Sequence, residues 1–167
     1  QNETCATYNM LKLTRELFFF NQRPELMDYY ERALYNHILA SVAEDSPANT
    51  YHVPLRAGSV KRFGNPEMKG FTCCNGTAIE SNTKLHNSIY FKSTDNQALY
   101  VNLFVPSTLN WTERNVAVTQ TTAYPKNDQV KMTISGNGAF DLNVRVPKWA
   151  TNGFTVKING REENVQA

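Results

Sequence analysis

The sequence predicts an α+β chain, a helical first half followed by an antiparallel β-sandwich, and three observations carry that reading. Apolar residues recur at helical spacing through residues 5–43, short alternating segments rich in Val, Thr, Tyr and Phe fill the chain after Ile89, and turn residues separate those segments. In the first helix the repeat is Met10, Leu11, Leu13, Leu17, Phe18 and Phe20; in the second it is Leu26, Met27, Tyr30, Leu34, Ile38 and Val42. Pro24 suits the first turn of a helix, where its missing N–H costs nothing. The short link Asn21 to Arg23 makes the pair an antiparallel hairpin. Its wide apolar face needs further helices or a sheet to cover it.

From Glu44 to Thr72 the periodicity fades, and Pro47, Pro54, Gly58, Gly64, Pro66 and Gly70 mark a long irregular excursion of the kind that usually serves a function. A third helix is expected over Thr77–Ser88, with Thr77 and Glu80 arranged as a capping box. The strand segments are Ser88–Lys92, Ala98–Val105, Val116–Ala123, Val130–Ser135, Phe140–Val146 and Phe154–Ile158. Turns fall at 94–96, 125–128, 136–138 and Asn159-Gly160. The chain stops at Ala167, before a sandwich of usual strand count is complete.

The bulk properties narrow the function. The 167 residues suffice for one domain or two small lobes, and 17 basic against 15 acidic side chains leave a formal charge of +2. A phosphate-backbone partner needs a basic stripe, so nucleic acid is not expected. The run Leu17-Phe18-Phe19-Phe20 ends at Asn21, well short of the roughly 20 apolar residues of a membrane span, so no membrane partner is expected. The opening Gln1-Asn2-Glu3-Thr4-Cys5 has no initiator Met and runs straight into motif-like sequence, as expected of a piece trimmed from a larger polypeptide.

Three cysteines are an odd number for a disulfide framework, and Cys73 and Cys74 are adjacent. A bridge wants its α-carbons about 4.4–6.8 Å apart with a defined torsion, which neighbours meet only under strain. Metal binding or a reactive thiol explains the pair better. Glu3, Cys5, Cys73 and Cys74 together offer three thiolates and a carboxylate, a set that fills a tetrahedral zinc shell, and sulfur favours zinc over calcium or magnesium. Spacing alone leaves the alternative open, in which Cys5 is a small buried apolar residue and the pair a coincidence.

The neighbourhood adds a resemblance. Phe71-Thr72-Cys73-Cys74-Asn75-Gly76-Thr77-Ala78-Ile79-Glu80, then Ser88-Ile89-Tyr90-Phe91 and Leu99-Tyr100-Val101-Asn102-Leu103-Phe104-Val105-Pro106-Ser107, resemble the bacterial β-L-arabinofuranosidases of glycoside hydrolase family 127 and its relative family 146. Glu3-Thr4-Cys5-Ala6 resembles the same family's metal motif. Ala78 departs from the pattern, where many relatives have Gly.

The resemblance implies an (α/α)6 barrel carrying the active site, followed by β-sandwich domains. Residues 1–87 would then be the C-terminal portion of the barrel with the Cys-Cys loop, and 88–167 a sandwich domain, incomplete here. It implies zinc held by Glu3, Cys5, Cys73 and Cys74, and Cys73 as nucleophile in retaining hydrolysis of arabinose-containing glycans from plants. The general acid/base glutamate would lie upstream of Gln1, so the isolated fragment should be inactive and should work with the remainder of the parent polypeptide. For that bacterial parent a periplasmic or secreted location is favoured over a cytoplasmic one.

Lesser candidates sit in the excursion. Tyr51 and His52 could meet sugar hydroxyls, Lys61 and Arg62 have similar standing, and Phe71 reads as packing beneath the cysteines. Glu80 reads as a helix-cap carboxylate rather than an acid catalyst. Trp111 and Trp149 lie at strand ends and read as core. Asn2-Glu3-Thr4, Asn75-Gly76-Thr77 and Asn110-Trp111-Thr112 fit the glycosylation pattern, but modification of the first two would obstruct the metal motifs. The rival to an enzyme is a carbohydrate-binding or structural module with a purely structural zinc.

Overall fold

The computed structural model describes residues 2–64 and 72–165. The chain forms two compact units that divide between Ser88 and Ile89.

The first unit is helical. Helix α1 (Thr4–Phe20) turns Tyr8, Leu11, Thr14 and Phe18 inward, a spacing of three and four that places them on one face. At its C-terminus the Gln22 side-chain amide donates to the carbonyls of Phe18 and Phe19, each at 3.1 Å, satisfying acceptors that the helix leaves open. Helix α2 (Pro24–Ala33) follows with Pro24 in its first turn. Met27, Tyr30, Leu34 and Ile38 are buried alongside Tyr8, Leu11 and Phe18. The second helix does not run on unbroken to Val42. At Leu34–Ile38 it widens into a single π-turn, closed by the Leu39 N–H donating to the Leu34 carbonyl, and then tightens to a 3₁₀ turn over Leu39–Ser41.

Helix α3 (Cys74–Thr83) begins three residues earlier than the sequence predicts and stops short of Ser88. The capping box does not form. Thr77 lies inside the helix, its hydroxyl directed at the carbonyls of Cys73 and Cys74, and Glu80 accepts a short hydrogen bond from the Tyr8 hydroxyl on α1. A tertiary partner outcompetes the local cap, and Lys84 completes the contact, with Nζ 2.5 Å from the Tyr8 oxygen and 3.6 Å from Glu80.

The second unit holds two three-stranded sheets and a hairpin. One sheet orders β1 (Tyr90–Lys92), β2 (Ala98–Val101) and β6 (Asp141–Val144); the other orders β3 (Ser107–Trp111), β4 (Val116–Thr122) and β5 (Val130–Gly136). All neighbours are antiparallel except β2 and β6, which pair parallel with Leu99 opposite Leu142. Leu99 from the first sheet and Trp111, Val116 and Val118 from the second form one buried cluster, the core of a two-layer sandwich. Gln120 spans the layers, its amide donating to the Tyr90 hydroxyl at 2.9 Å and the Leu103 carbonyl at 3.3 Å.

Gly136 ends β5 with φ +117°, and a Cβ there would stand 2.3 Å from the Asn115 carbonyl oxygen, so the position admits only glycine. Strands β7 (Val156–Ile158) and β8 (Arg161–Glu163) form a separate hairpin around Asn159-Gly160, both of whose central residues have positive φ. Strands β3 and β8 are missing from the sequence reading, because Ser-Thr-Leu-Asn-Trp and Arg-Glu-Glu lack a β-branched apolar alternation. Trp111 is core as expected. Trp149 is not: it is 52% exposed and stacks on Tyr124 with ring centroids 5.8 Å apart.

The α1–α3 contact has a pH signature. The Tyr8 hydrogen bond, helped by Lys84, holds the Glu80 carboxyl below its ordinary value of 4.5. A depressed carboxylate stabilises the fold above the unfolded value, and that contribution is lost as pH falls through the folded value. The thermal midpoint of the chain should therefore exceed that of Glu80→Gln near neutral pH, and the gap should close in acid below 4.5. An equal gap at neutral and acid pH would show that the carboxylate contributes nothing through its charge.

Candidate metal and thiol site

Two helix N-termini meet at the cysteines. Cys5 lies in the first turn of α1, Cys73 is the N-cap of α3 and Cys74 its first residue. The three Sγ atoms all lie within 4.8 Å of one another, and Cys5 and Cys73 approach to 3.1 Å. None of the three is in a disulfide. They differ in access: Cys74 is buried, Cys5 partly covered and Cys73 exposed. Partial positive charge at a helix N-terminus favours a thiolate, and here two such ends face one cluster.

The backbone at Cys73 is strained. Its φ of +41° with ψ of −104° lies outside the left-handed helical region as well as the two common ones, a conformation that a residue with a Cβ keeps only when its surroundings enforce it. This geometry turns the Cys73 sulfur outward while Cys74 goes into the protein.

Glu3 reaches the cluster from the other side. It is the N-cap of α1, in extended backbone that pairs across a β-bridge with His52. Its Oε2 lies 4.0 Å from Cys5 Sγ and its Oε1 3.9 Å from His52 Nδ1. The three sulfurs of the sequence-predicted ligand set thus cluster together, with the Glu3 carboxylate beside Cys5 at their edge. The donor set is soft and anionic, as zinc prefers, and the sulfur spacing brackets the edge of about 3.8 Å that a tetrahedron with Zn–S bonds near 2.3 Å requires.

Protons are distributed unevenly over this cluster. The Cys5 thiol is pushed up to about 12, first by its hydrogen bond to Cys73 and then by burial and the neighbouring Cys74. Cys73 is lowered from the ordinary 9.0, first by the Cys5 hydrogen bond and next by the Tyr51 hydroxyl, against burial and the nearby Glu3 charge. Tyr51 is correspondingly pushed up to about 12, since its proton is held by Cys73. Of the two sulfurs in contact, Cys73 is the one whose ionisation the surroundings favour, and Cys5 the one whose ionisation they oppose.

Tyr51 and His52 are therefore both at the cluster, Tyr51 on Cys73 and His52 beside Glu3, with their rings 4.7 Å apart. The bridges Val42 to Asn49 and Thr50 to Phe63 anchor this part of the excursion, and Asn49 and Thr50 are buried. Lys61 does not join them; its Nζ donates to the Ala40 carbonyl at 2.5 Å. Phe71 lies outside the described residues.

Sequence reasoning misses His37. Its Nε2 lies 3.3 Å from the Asn2 carbonyl, and its Nδ1 2.7 Å from the Thr7 hydroxyl. A carbonyl can only accept, so Nε2 carries the proton and, on the neutral ring, Thr7 donates to Nδ1. No motif marks this residue, because the π-turn that presents it has no sequence signature. The geometry at the thiols predicts their reactivity. Brief treatment with iodoacetamide should alkylate Cys73 ahead of Cys5 and leave Cys74 untouched, as read by peptide mass spectrometry; first modification at Cys74 would contradict the burial order.

Comparison with known proteins gives a consistent result over both units. Residues 1–87 match the family described as β-L-arabinofuranosidase, GH127 catalytic domain, and residues 98–167 match the β-L-arabinofuranosidase GH127 middle domain. A non-reducing end β-L-arabinofuranosidase of Bifidobacterium longum subsp. longum is 20% identical over 174 aligned residues, which cover 95% of this chain and 26% of that protein. The crystal structure of a GH127 β-L-arabinofuranosidase from Geobacillus stearothermophilus T6 superposes with a TM-score of 0.77 at 26% identity, over 97% of this chain and 27% of that one. The chain thus spans about a quarter of the length of these relatives.

Proposed function

This chain belongs to the β-L-arabinofuranosidases of glycoside hydrolase family 127, and from that premise we propose that it supplies the nucleophile and the metal ligands of a retaining glycosidase acting on arabinose-containing glycans of plant origin. On this reading residues 1–87 are the C-terminal part of an (α/α)6 catalytic barrel with its Cys-Cys loop, and residues 88–167 belong to the sandwich domain that follows. The outward side of α1 supports it: besides the buried Leu11 and Phe18, the helix exposes Met10, Leu13, Leu17 and Phe20 on a second apolar stripe, as a helix with further helical neighbours does.

Glu3, Cys5, Cys73 and Cys74 would hold the zinc. The bound ion would keep its thiol ligands ionised at neutral pH. The observation that carries the reading is Cys73: an exposed sulfur on a strained helix cap, touching both another thiol and the Tyr51 hydroxyl. Its thiolate attacks the anomeric carbon, and a C–S bond forms as the glycosidic C–O bond breaks. The leaving oxygen takes a proton from a general acid, which the resemblance assigns to a glutamate in another part of the catalytic domain. Water then gives a proton to the same group and attacks the anomeric carbon, the C–S bond breaks, and sulfur departs as thiolate. Two inversions leave the configuration retained.

Tyr51 and His52 border the sulfur and the carboxylate, and their polar atoms would meet sugar hydroxyls and orient the ring. Tyr51 has a second use, since a hydroxyl donated to Cys73 stabilises negative charge on the sulfur before attack and on its departure.

The test is made on the full-length parent. Cys73→Ser should lower turnover of an arabinofuranosyl substrate by at least about 10³-fold, and a sugar-like electrophile should form a thioether on Cys73 alone, seen by intact and peptide mass. Retained turnover in Cys73→Ser would remove the nucleophile; equal loss of folding in Cys73→Ser and Cys74→Ser, with no adduct, would favour a structural zinc. The 167-residue chain by itself should hydrolyse nothing even when loaded with zinc, and turnover by it would place a working acid among these residues.

A further inference from the structure

The Glu3 carboxylate reaches the sulfurs from a segment that its own helix does not secure. Glu3 caps α1 without a side-chain cap bond, and apart from its bridge to His52 the segment is tied down through the carbonyl of Asn2. Two donors converge on that carbonyl, the Val53 N–H at 2.9 Å and the His37 Nε2–H at 3.3 Å. The other nitrogen of the same ring accepts from Thr7 Oγ1 at 2.7 Å. One imidazole thus ties the residue just before Glu3 to the residue two after Cys5, bracketing both of the ligands that α1 contributes.

The ring is delivered by the π-turn Leu34–Ile38, in which the Leu39 N–H bonds to Leu34 rather than to Tyr35. Such a turn carries an extra residue, offsets the side chains that follow, and costs stability relative to regular helix. Leu34 and Ile38, at the two ends of the turn, are both buried. It leaves His37 half-buried and hydrogen-bonded at both nitrogens.

We propose that His37 is a positioning residue for the metal site, holding the Asn2–Glu3 segment and the first turn of α1 in the register that lets the Glu3 carboxylate and the Cys5 sulfur address one ion. The proposal rests on the zinc reading given under Proposed function. His37 touches neither ion nor substrate. It acts through the Asn2 carbonyl and the Thr7 hydroxyl, and outer partners of this kind typically account for 10–100-fold in metal affinity.

The experiment uses the full-length parent, stripped of metal and titrated with Co²⁺ against a competing chelator, with thiolate-to-cobalt absorption as the signal. His37→Ala should weaken Co²⁺ binding by about 10–100-fold. His37→Gln, whose amide N–H can replace the Nε2–H toward the Asn2 carbonyl, should recover most of the loss. Thr7→Val, which keeps the shape and deletes the proton donor, should weaken binding several-fold. Thermal midpoints of the metal-free variants separate folding from positioning. A lowered metal-free midpoint with unchanged Co²⁺ affinity would make His37 structural and overturn the proposal, and so would loss in His37→Gln equal to that in His37→Ala. Should His37→Ala fail to fold, unchanged Co²⁺ affinity in Thr7→Val and His37→Gln alike overturns it. Absence of the thiolate-to-cobalt band in the unsubstituted protein would instead remove the metal reading, and His37 with it.

Discussion

Three sulfurs crowded at one point, with a carboxylate beside them, repel one another as soon as more than one sulfur is ionised, and the helical unit is organised around that difficulty. Cys5, Cys73 and Cys74 cannot all be thiolates beside Glu3 unless positive charge is brought in. Some of it comes from the backbone: α1 and α3 bring their N-termini to the same place, each with the positive end of its dipole. The rest can be met by protons, which the surroundings favour on Cys5 and Tyr51 over Cys73, or by a divalent ion.

Bringing the sulfurs together has a conformational cost, and its location is informative. The strain falls on Cys73, at the turn that enters α3, and separates two adjacent cysteines into one exposed and one buried side chain. Regular structure nearby compensates. Tyr8 on α1 bonds Glu80 on α3, fixing the two helices that present the thiols. The excursion is pinned by three short β-bridges, of which the Glu3–His52 pair sets the carboxylate and brings Tyr51 to the sulfur. A loop anchored by buried Asn49 and Thr50 can hold polar side chains at a reactive centre more steadily than a free one.

The two units contribute differently. The sandwich has a core of its own, with Leu99, Trp111, Val116 and Val118 closed between its sheets. In the helical unit α1 buries one apolar face and exposes a second stripe, Met10, Leu13, Leu17 and Phe20. That asymmetry agrees with a chain matching about a quarter of relatives whose catalytic and middle domains it bridges.

Much of this was legible in the sequence. Periodicity gives the helical hairpin and its Pro24 start, alternation and turn residues give most of the strands, and the unusual Cys73-Cys74 pair together with Cys5 marks the three thiols that the structure brings together. Other features were settled only by tertiary contacts. The capping box at Thr77 and Glu80 yields to Tyr8 because a partner 72 residues away offers Glu80 a better hydrogen bond than its own helix end. The π-turn at His37, the positive φ at Cys73 and the parallel pairing of β2 with β6 all depend on where distant segments lie. A sequence pattern reports which residues are apolar, ionisable or sulfur-bearing. Which cysteine faces solvent, which sulfur its neighbours favour as a thiolate and which histidine bonds the Asn2 carbonyl are decided by distances that exist only after folding.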